Sequence, residues 1–316
     1  MHPAHIRLIA PSGHAHDPAA MARGVARLRE AGCTVDGEEV LARFAQRFAG
    51  SDAERAADIN ALATAAVLPD IALTTRGGYG AARLLTQLDY AALRERLHGA
   101  PIALVGHSDF TALQLALHAK SGLCTFSGPL LADFGAEAPD DFSWRQFWAT
   151  LTAPTAQVSW TTSATAELDL HGPLWGGNLA MLCSLLGTPY FPVIDDGILF
   201  VEDVGEAPYR VERMLYQLHL SGVLGRQQAL LLGSFSQCAP GHRDNGYALR
   251  DAFAQIRAVA GVPLVDGLPH GHGAEQLTLP FGAPAHLRVE DGRARLEIGG
   301  YPHLDCANPA GPPEKP

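Results

Sequence analysis

Ile102-Ala103-Leu104-Val105-Gly106-His107-Ser108-Asp109-Phe110-Thr111-Ala112-Leu113 packs a strand, a turn and a helix start into one short run. The apolar residues ending at Gly106 read as a buried strand, and the apolar run from Thr111 reads as the opening of a helix. A strand that bends sharply into a helix presents the residue at the bend, here Ser108, above the edge of a sheet. The first amides of the helix have no intrahelical partner and can hold a developing oxyanion. Gly106 suits the bend because a side chain there would crowd it. Phe110 stands where the nucleophile-elbow pattern has its second glycine, so the residues alone leave Ser108 open to a second reading, an ordinary helix N-cap. His107 reads as a packing or hydrogen-bonding residue.

The same grammar extends toward the N-terminus. Ile6–Ala10, Ile71–Thr75 and Ile102–Val105 are short apolar runs suited to buried parallel strands. Ala19–Ala31 and Ala53–Ala66 carry helical spacing, and Arg76–Leu85 and Asp109–Lys120 each follow a strand in the manner of βα units. This alternation predicts a parallel sheet covered on both faces. The character then changes. Residues from about Phe134 to Thr165 lack a strong period and read as a connector with one short helix. Trp175-Gly176-Gly177-Asn178 is read as opening a helical run to Leu186, Gly197–Glu202 and Gln228–Phe235 as strands, and Tyr209–Leu220 as a helix. Ala285–Ile298 is read as a hairpin turning at Glu290-Asp291-Gly292. The expected fold class is α/β: an N-terminal parallel-sheet α/β sandwich domain (1–135), a connector (136–170), a C-terminal β-rich α+β domain (171–306) and a disordered proline-rich tail (307–316).

Composition narrows the function. Hydrophobic residues are 47% and charged residues 18% of the 316, enough apolar material for a core of ordinary size. The net charge of −10 argues against nucleic-acid binding, which needs a basic face. An anionic substrate would have to be met by a local cationic pocket. Five scattered cysteines with no C-x-x-C pair suggest reduced thiols rather than a disulfide framework or structural zinc. The first residues lack the pattern of a signal peptide, and no run is long enough to span a bilayer, so a cytoplasmic protein with no membrane partner is expected.

Thr75-Arg76-Gly77-Gly78-Tyr79-Gly80 exposes backbone amides at a second sheet edge. It lacks the third glycine and the acidic residue of a dinucleotide fingerprint and the Gly-Lys-Ser of a P-loop. Arg76 can meet a substrate carboxylate or brace its own loop. A serine hydroxyl needs a base, and the base an orienting partner. Glu202-Asp203-Val204-Gly205-Glu206 offers acids after a strand, and His270-Gly271-His272 offers imidazoles in a glycine-rich loop. A solvated strand end and a plain loop are the simpler readings of each. His270-x-His272 with Glu202 or Asp203 suggests zinc, but H-E-x-x-H and a second spaced histidine pair are missing, so no metal and no cofactor are expected.

In these residues the sequence resembles the muramoyltetrapeptide carboxypeptidases, or LD-carboxypeptidases, of bacterial murein recycling. The likeness runs from Leu8-Ile9-Ala10-Pro11-Ser12-Gly13 through Arg76–Gly80, Gly106–Leu113, Phe126-Ser127-Gly128-Pro129, Leu174–Leu179 and Glu202–Arg210 to the block from Gly267 to Gly282. The resemblance implies a serine peptidase with a triad of Ser108, Glu202 and His272, the first on an α/β domain and the other two on a β-rich domain. It also implies oxyanion donors at the Asp109 amide and in the Gly77-Gly78 turn, a murein tetrapeptide as substrate, and a homodimer. His270 matches no position of the pattern. Arg76, Trp175 and Asn178 are candidates for lining the substrate groove. Two other readings remain: a related serine peptidase that cleaves a peptide–nucleotide antibiotic, as self-immunity members of the family do, and a non-catalytic murein-peptide-binding module.

Overall fold

The computed structural model describes residues 2–138 and 140–308. Residues 309–316 of the proline-rich tail lie outside them. The chain begins with β1 (His5–Ile9), α1 (Pro18–Glu30), β2 (Thr34–Asp36), α2 (Asp52–Thr64), β3 (Ile71–Thr74), α3 (Tyr90–Leu97), β4 (Ala103–Gly106), α4 (Thr111–Ser121) and β5 (Thr125–Ser127). Local chemistry fixes many of these ends. Asp17 caps α1 with Pro18 in its first turn, and Ser51 and Glu54 form a reciprocal capping box on α2. Gly122, at φ +66°, ends α4.

Next come α5 (Leu131–Phe134), α6 (Asp141–Thr152), β6 (Thr155–Thr161), β7 (Leu168–Asn178), α7 (Leu179–Leu185), β8 (Gly197–Val204), α8 (Pro208–Leu220), β9 (Gln227–Ser236) and α9 (Leu249–Val259). The chain closes with β10 (Leu264–Val265), β11 (Leu279–Phe281), β12 (Ala283–Glu290) and β13 (Arg293–Gly299). A two-residue turn, Asp291-Gly292 with φ of +48° and +71°, joins the last two strands as the hairpin signal requires.

Two sheets result. The first runs β11-β5-β4-β3-β1-β2 and is parallel except at β11, which pairs antiparallel with β5. The second runs β10-β9-β8-β7-β12-β13-β6, parallel from β10 to β7 and antiparallel from β7 to β6. β7 shows the difference in its own burial. Its first part alternates beside β12, whereas Leu174–Asn178 is buried throughout beside β8. The α/β class holds, with helices packed on both sheets.

The structure departs from the sequence reading in four places. The stretch Arg76–Leu85 is a loop followed by a single 3-10 turn at Ala81–Leu84, because Gly78 and Gly80 take positive φ. Trp175-Gly176-Gly177-Asn178 ends β7 instead of opening a helix, and Asn178 caps α7 through its side chain. The segment read as a connector holds α6 and the edge strand β6. Finally, β11 arises late in the chain yet completes the first sheet.

Candidate active site

The C-terminal edge of the first sheet carries the Ser108 turn. Ser108 is half-buried and its φ is +62°, a left-handed conformation that a serine rarely adopts. The bend is tight: a Cβ on Gly106 would lie 2.7 Å from the Phe110 ring and 2.7 Å from Thr74 Oγ1. Residues Ser108–Phe110 form a 3-10 turn that leads directly into α4, whose first seven residues, Thr111 to Leu117, are all buried. The nucleophile candidate therefore stands on a rigid support.

Asp109 fastens the neighbouring loops to that turn. Its Oδ2 accepts hydrogen bonds from Ser12 Oγ (2.6 Å) and the Ala81 amide (2.8 Å). Burial pushes its carboxyl above the usual range, against these hydrogen bonds and the nearby Arg55. Gly13 donates its amide to Gly77 O at 3.1 Å, which holds the glycine-rich loop against the nucleophile. A Cβ on Gly77 would fall 2.9 Å from Ser108 Oγ and 3.8 Å from the Asp109 amide nitrogen, so this approach is open only to glycine. Gly78 is exposed at the rim, with φ +105°.

The second sheet brings the acid and the histidine. In β8 and β9 the register shifts between Val201 and Asp203, leaving an extra residue in β9 opposite Glu202. The histidine loop docks there, with the Ser234 amide donating to His270 O at 2.8 Å. His272 Nδ1 consequently donates to Glu202 Oε2 at 2.6 Å. Glu202 is 1% exposed and His272 is half-buried. Burial raises the Glu202 carboxyl, but the hydrogen bond from His272 and the positive charge beside it outweigh that, and the net direction is down. Burial lowers the His272 imidazole, yet the Glu202 hydrogen bond and charge raise it overall. Each partner thus stabilises the charged form of the other.

Of the acid cluster, only Glu202 meets His272. Asp203 accepts from Asn178 Nδ2 and from the Val204 and Ala180 amides, and burial pushes its carboxyl up to about 6. Glu206 sits in a surface pair with Arg210 at 3.7 Å. The edge of the His107 ring, one residue before Ser108 in the chain, meets the His272 ring with centroids 5.0 Å apart. Among the described residues Ser108 Oγ makes no hydrogen bond to His272; the structure joins Glu202 to His272, and Ser108 follows in sequence the His107 whose ring meets that imidazole. His107 Nε2 in turn contacts Asp133 Oδ2 at 3.2 Å.

His270 has a separate task. Its Nδ1 donates to Leu277 O (2.9 Å), so Nε2 accepts from Ser127 Oγ (3.1 Å) and ties β5 of the first sheet to the histidine loop. Complete burial lowers its imidazole to about 4, so it is neutral.

Two proposed groove residues are not in the groove. Trp175 is 1% exposed, with its indole N–H donating to Gln227 Oε1 at 2.8 Å, and it belongs to the core. Asn178 is buried and donates to both Glu202 Oε1 (3.2 Å) and Asp203 Oδ1 (3.0 Å), so it positions the acid. Arg76 fits its reading better. It is half-buried, makes one hydrogen bond to His14 O (3.1 Å), and among the described residues has no carboxylate partner. Burial and the charge of Arg47 lower its guanidinium. The sequence reading missed Ser12 and the Asp109 side chain, although Pro11-Ser12-Gly13 after a parallel strand is itself a site signal.

Comparison with known proteins follows the same lines. Two family models match, the LD-carboxypeptidase N-terminal domain over residues 6–128 and the LD-carboxypeptidase C-terminal domain over residues 171–287. A murein tetrapeptide carboxypeptidase of Pseudomonas aeruginosa is 34% identical over 277 residues, 79% of this chain and 82% of that one. The microcin C7 self-immunity protein of Escherichia coli is 28% identical over 295 residues, 82% and 83% of the two chains. The crystal structure of a muramoyltetrapeptide carboxypeptidase from Oxalobacter formigenes superposes with a TM-score of 0.86 at 41% identity, covering 95% of this chain and 100% of that chain.

Proposed function

Because the chain belongs to the LD-carboxypeptidase family, we propose that it is a serine-type carboxypeptidase that releases the terminal D-alanine from murein tetrapeptides in cytoplasmic peptidoglycan recycling. The observation that carries this reading is the 2.6 Å hydrogen bond between His272 and a buried Glu202, with the His107 ring against His272 and the next residue, Ser108, held at positive φ. His272 Nε2 takes the proton of Ser108 as Oγ attacks the diamino-acid carbonyl. The Asp109 amide and an amide of the Gly77-Gly78 turn receive the oxyanion. His272 then gives its proton to the departing D-alanine nitrogen. Water attacks the acyl-enzyme, passes a proton to His272, and frees the tripeptide and Ser108.

Incubation of purified protein with murein tetrapeptide, with and without a chelator, tests this directly. Release of D-alanine in both, with a serine-directed phosphonate attached to Ser108 by mass spectrometry, supports it. Loss of activity on chelation overturns the metal-free mechanism, and absence of labelling and turnover favours a binding module. The similarity to a self-immunity protein gives a second reading, so a peptidyl-nucleotide conjugate belongs in the same assay; preference for it overturns the murein assignment. Light scattering tests the proposed homodimer.

Two variants probe the groove. Gly77→Ala places a methyl against Ser108 and is expected to lower kcat/KM about 100-fold with an unchanged circular dichroism spectrum. Near-wild-type turnover would remove Gly77 from the site. The Arg76 guanidinium, which among the described residues has no carboxylate partner, is suited to the terminal carboxylate of an exopeptidase substrate. Arg76→Lys is therefore expected to raise KM for the free acid about 10-fold more than for a C-terminal amide analogue. Equal effects would reduce Arg76 to a loop brace.

A further inference from the structure

On the outer face of the second sheet, His171 of β7 stands directly opposite His286 of β12, and His286 directly opposite Glu297 of β13. Asp169 lies two residues before His171 on the same face of β7. The two imidazoles are stacked, with centroids 3.9 Å apart and planes 16° from parallel. Asp169 Oδ1 is 2.7 Å from His286 Nε2 and 3.7 Å from His171 Nε2. One ligand atom from each of the three residues lies within 4.8 Å of the others. Nothing in the hydrolytic reaction uses them.

We propose that Asp169, His171 and His286 bind a zinc ion. Two imidazoles and a carboxylate form a donor set for a borderline transition metal, whereas magnesium and calcium prefer all-oxygen shells. Ligand atoms around a tetrahedral zinc at 2.0–2.1 Å are about 3.3 Å apart, so the 2.7 and 3.7 Å separations from Asp169 need shifts of about half an ångström, and the two imidazole nitrogens, which lie within 4.8 Å of each other, close by up to about 1.5 Å. Rotation of the exposed His171 ring and the half-exposed His286 ring turns their Nε2 lone pairs toward a common point. The ion takes the Nε2 lone pair of a neutral His286, so the proton that Nε2 now shares with Asp169 moves by way of solvent to Nδ1 of the same ring. Arg288 Nε holds Asp169 Oδ2 at 3.4 Å, leaving Oδ1 for the metal. Arg288 opposes a cation here, and Glu297, one strand further on, offsets it. A water fills the fourth position in a surface hollow of about 530 Å³ that His171, His286 and Glu297 line. An ion held there staples β7 to β12.

The test is calorimetric titration of chelator-stripped, full-length protein with zinc chloride, beside thermal melts with and without zinc. One ion per chain, with a dissociation constant on the order of micromolar, is expected. His286→Ala is expected to bind roughly 100-fold more weakly. A His171→Asn/His286→Asn variant, which keeps a polar side chain of similar size at both positions, is expected to keep the fold by circular dichroism and to lose the rise in Tm with zinc. His272→Ala, which removes the imidazole of the candidate active site, is expected to bind zinc as tightly as wild type. No stoichiometric binding, or binding that survives the double variant and disappears in His272→Ala, overturns the proposal. The outcome is independent of the peptidase reading, because neither readout involves turnover.

Discussion

A Ser108→Gly enzyme is expected to lose at least about 10⁴-fold in kcat/KM on murein tetrapeptide while melting about 2 °C above wild type. The first effect follows from removing the proposed nucleophile. The second follows from φ +62° at that residue, a conformation that costs an L-residue with a Cβ about 1–2 kcal/mol and a glycine little. The greater freedom of glycine in the unfolded chain offsets part of the gain, leaving about 1 kcal/mol. Ser108→Ala separates the two effects. It removes the hydroxyl but keeps the Cβ, so it is expected to be equally inactive with no rise in melting temperature. If the alanine and glycine variants melt together, the bend stores no strain. If either keeps more than about 1% of wild-type turnover, Ser108 is not the nucleophile.

Glu202→Gln is expected to cost about 10³- to 10⁴-fold in kcat/KM and to move the acid limb of its pH profile. The base works only when neutral, so kcat/KM falls as pH drops through the pKa of His272. In the wild-type enzyme Glu202 holds that value above the ordinary 6.5. Glutamine removes the charge while leaving the burial, which acts in the opposite direction, and the limb is expected to shift to lower pH. The amide can also offer its N–H to Nδ1, which puts the imidazole proton on Nε2, where the serine proton must go. Profiles between about pH 5 and 9 distinguish the variants. An acid limb that stays in place after the substitution would mean that another group titrates.

Local patterns carried much of the architecture. The βα alternation, the Asp291-Gly292 hairpin and the bend at Ser108 each follow from residues within a few positions of one another. Pairing between distant segments did not. β6 is an edge strand of seven residues and β11 has only three, and nothing near Thr155 or Leu279 says which sheet they join. The same limit applies to the site. The family resemblance suggested Glu202 from among three acids; the fold pairs Glu202 with His272, ties Asp203 to Asn178 and to the Ala180 and Val204 amides, and leaves Glu206 in a surface pair with Arg210, contacts that no local pattern announces. Trp175 and Asn178 failed because a polar edge on an indole, or an amide after two glycines, suits a groove and an interior equally well. Which it is depends on Gln227 and Glu202, far along the chain. His171 and His286 lie on strands whose register only the folded sheet reveals.

Because β11 borders β5 and His270 reaches across to Ser127, the molecule resists dissection at its apparent midpoint. A fragment ending near residue 170 would expose the hydrogen-bonding edge of β5, a ready template for aggregation. It would also leave Ser127 without its imidazole. Recombinant halves should therefore need each other to become soluble, and denaturant should melt the chain in one cooperative step in which neither half outlasts the other.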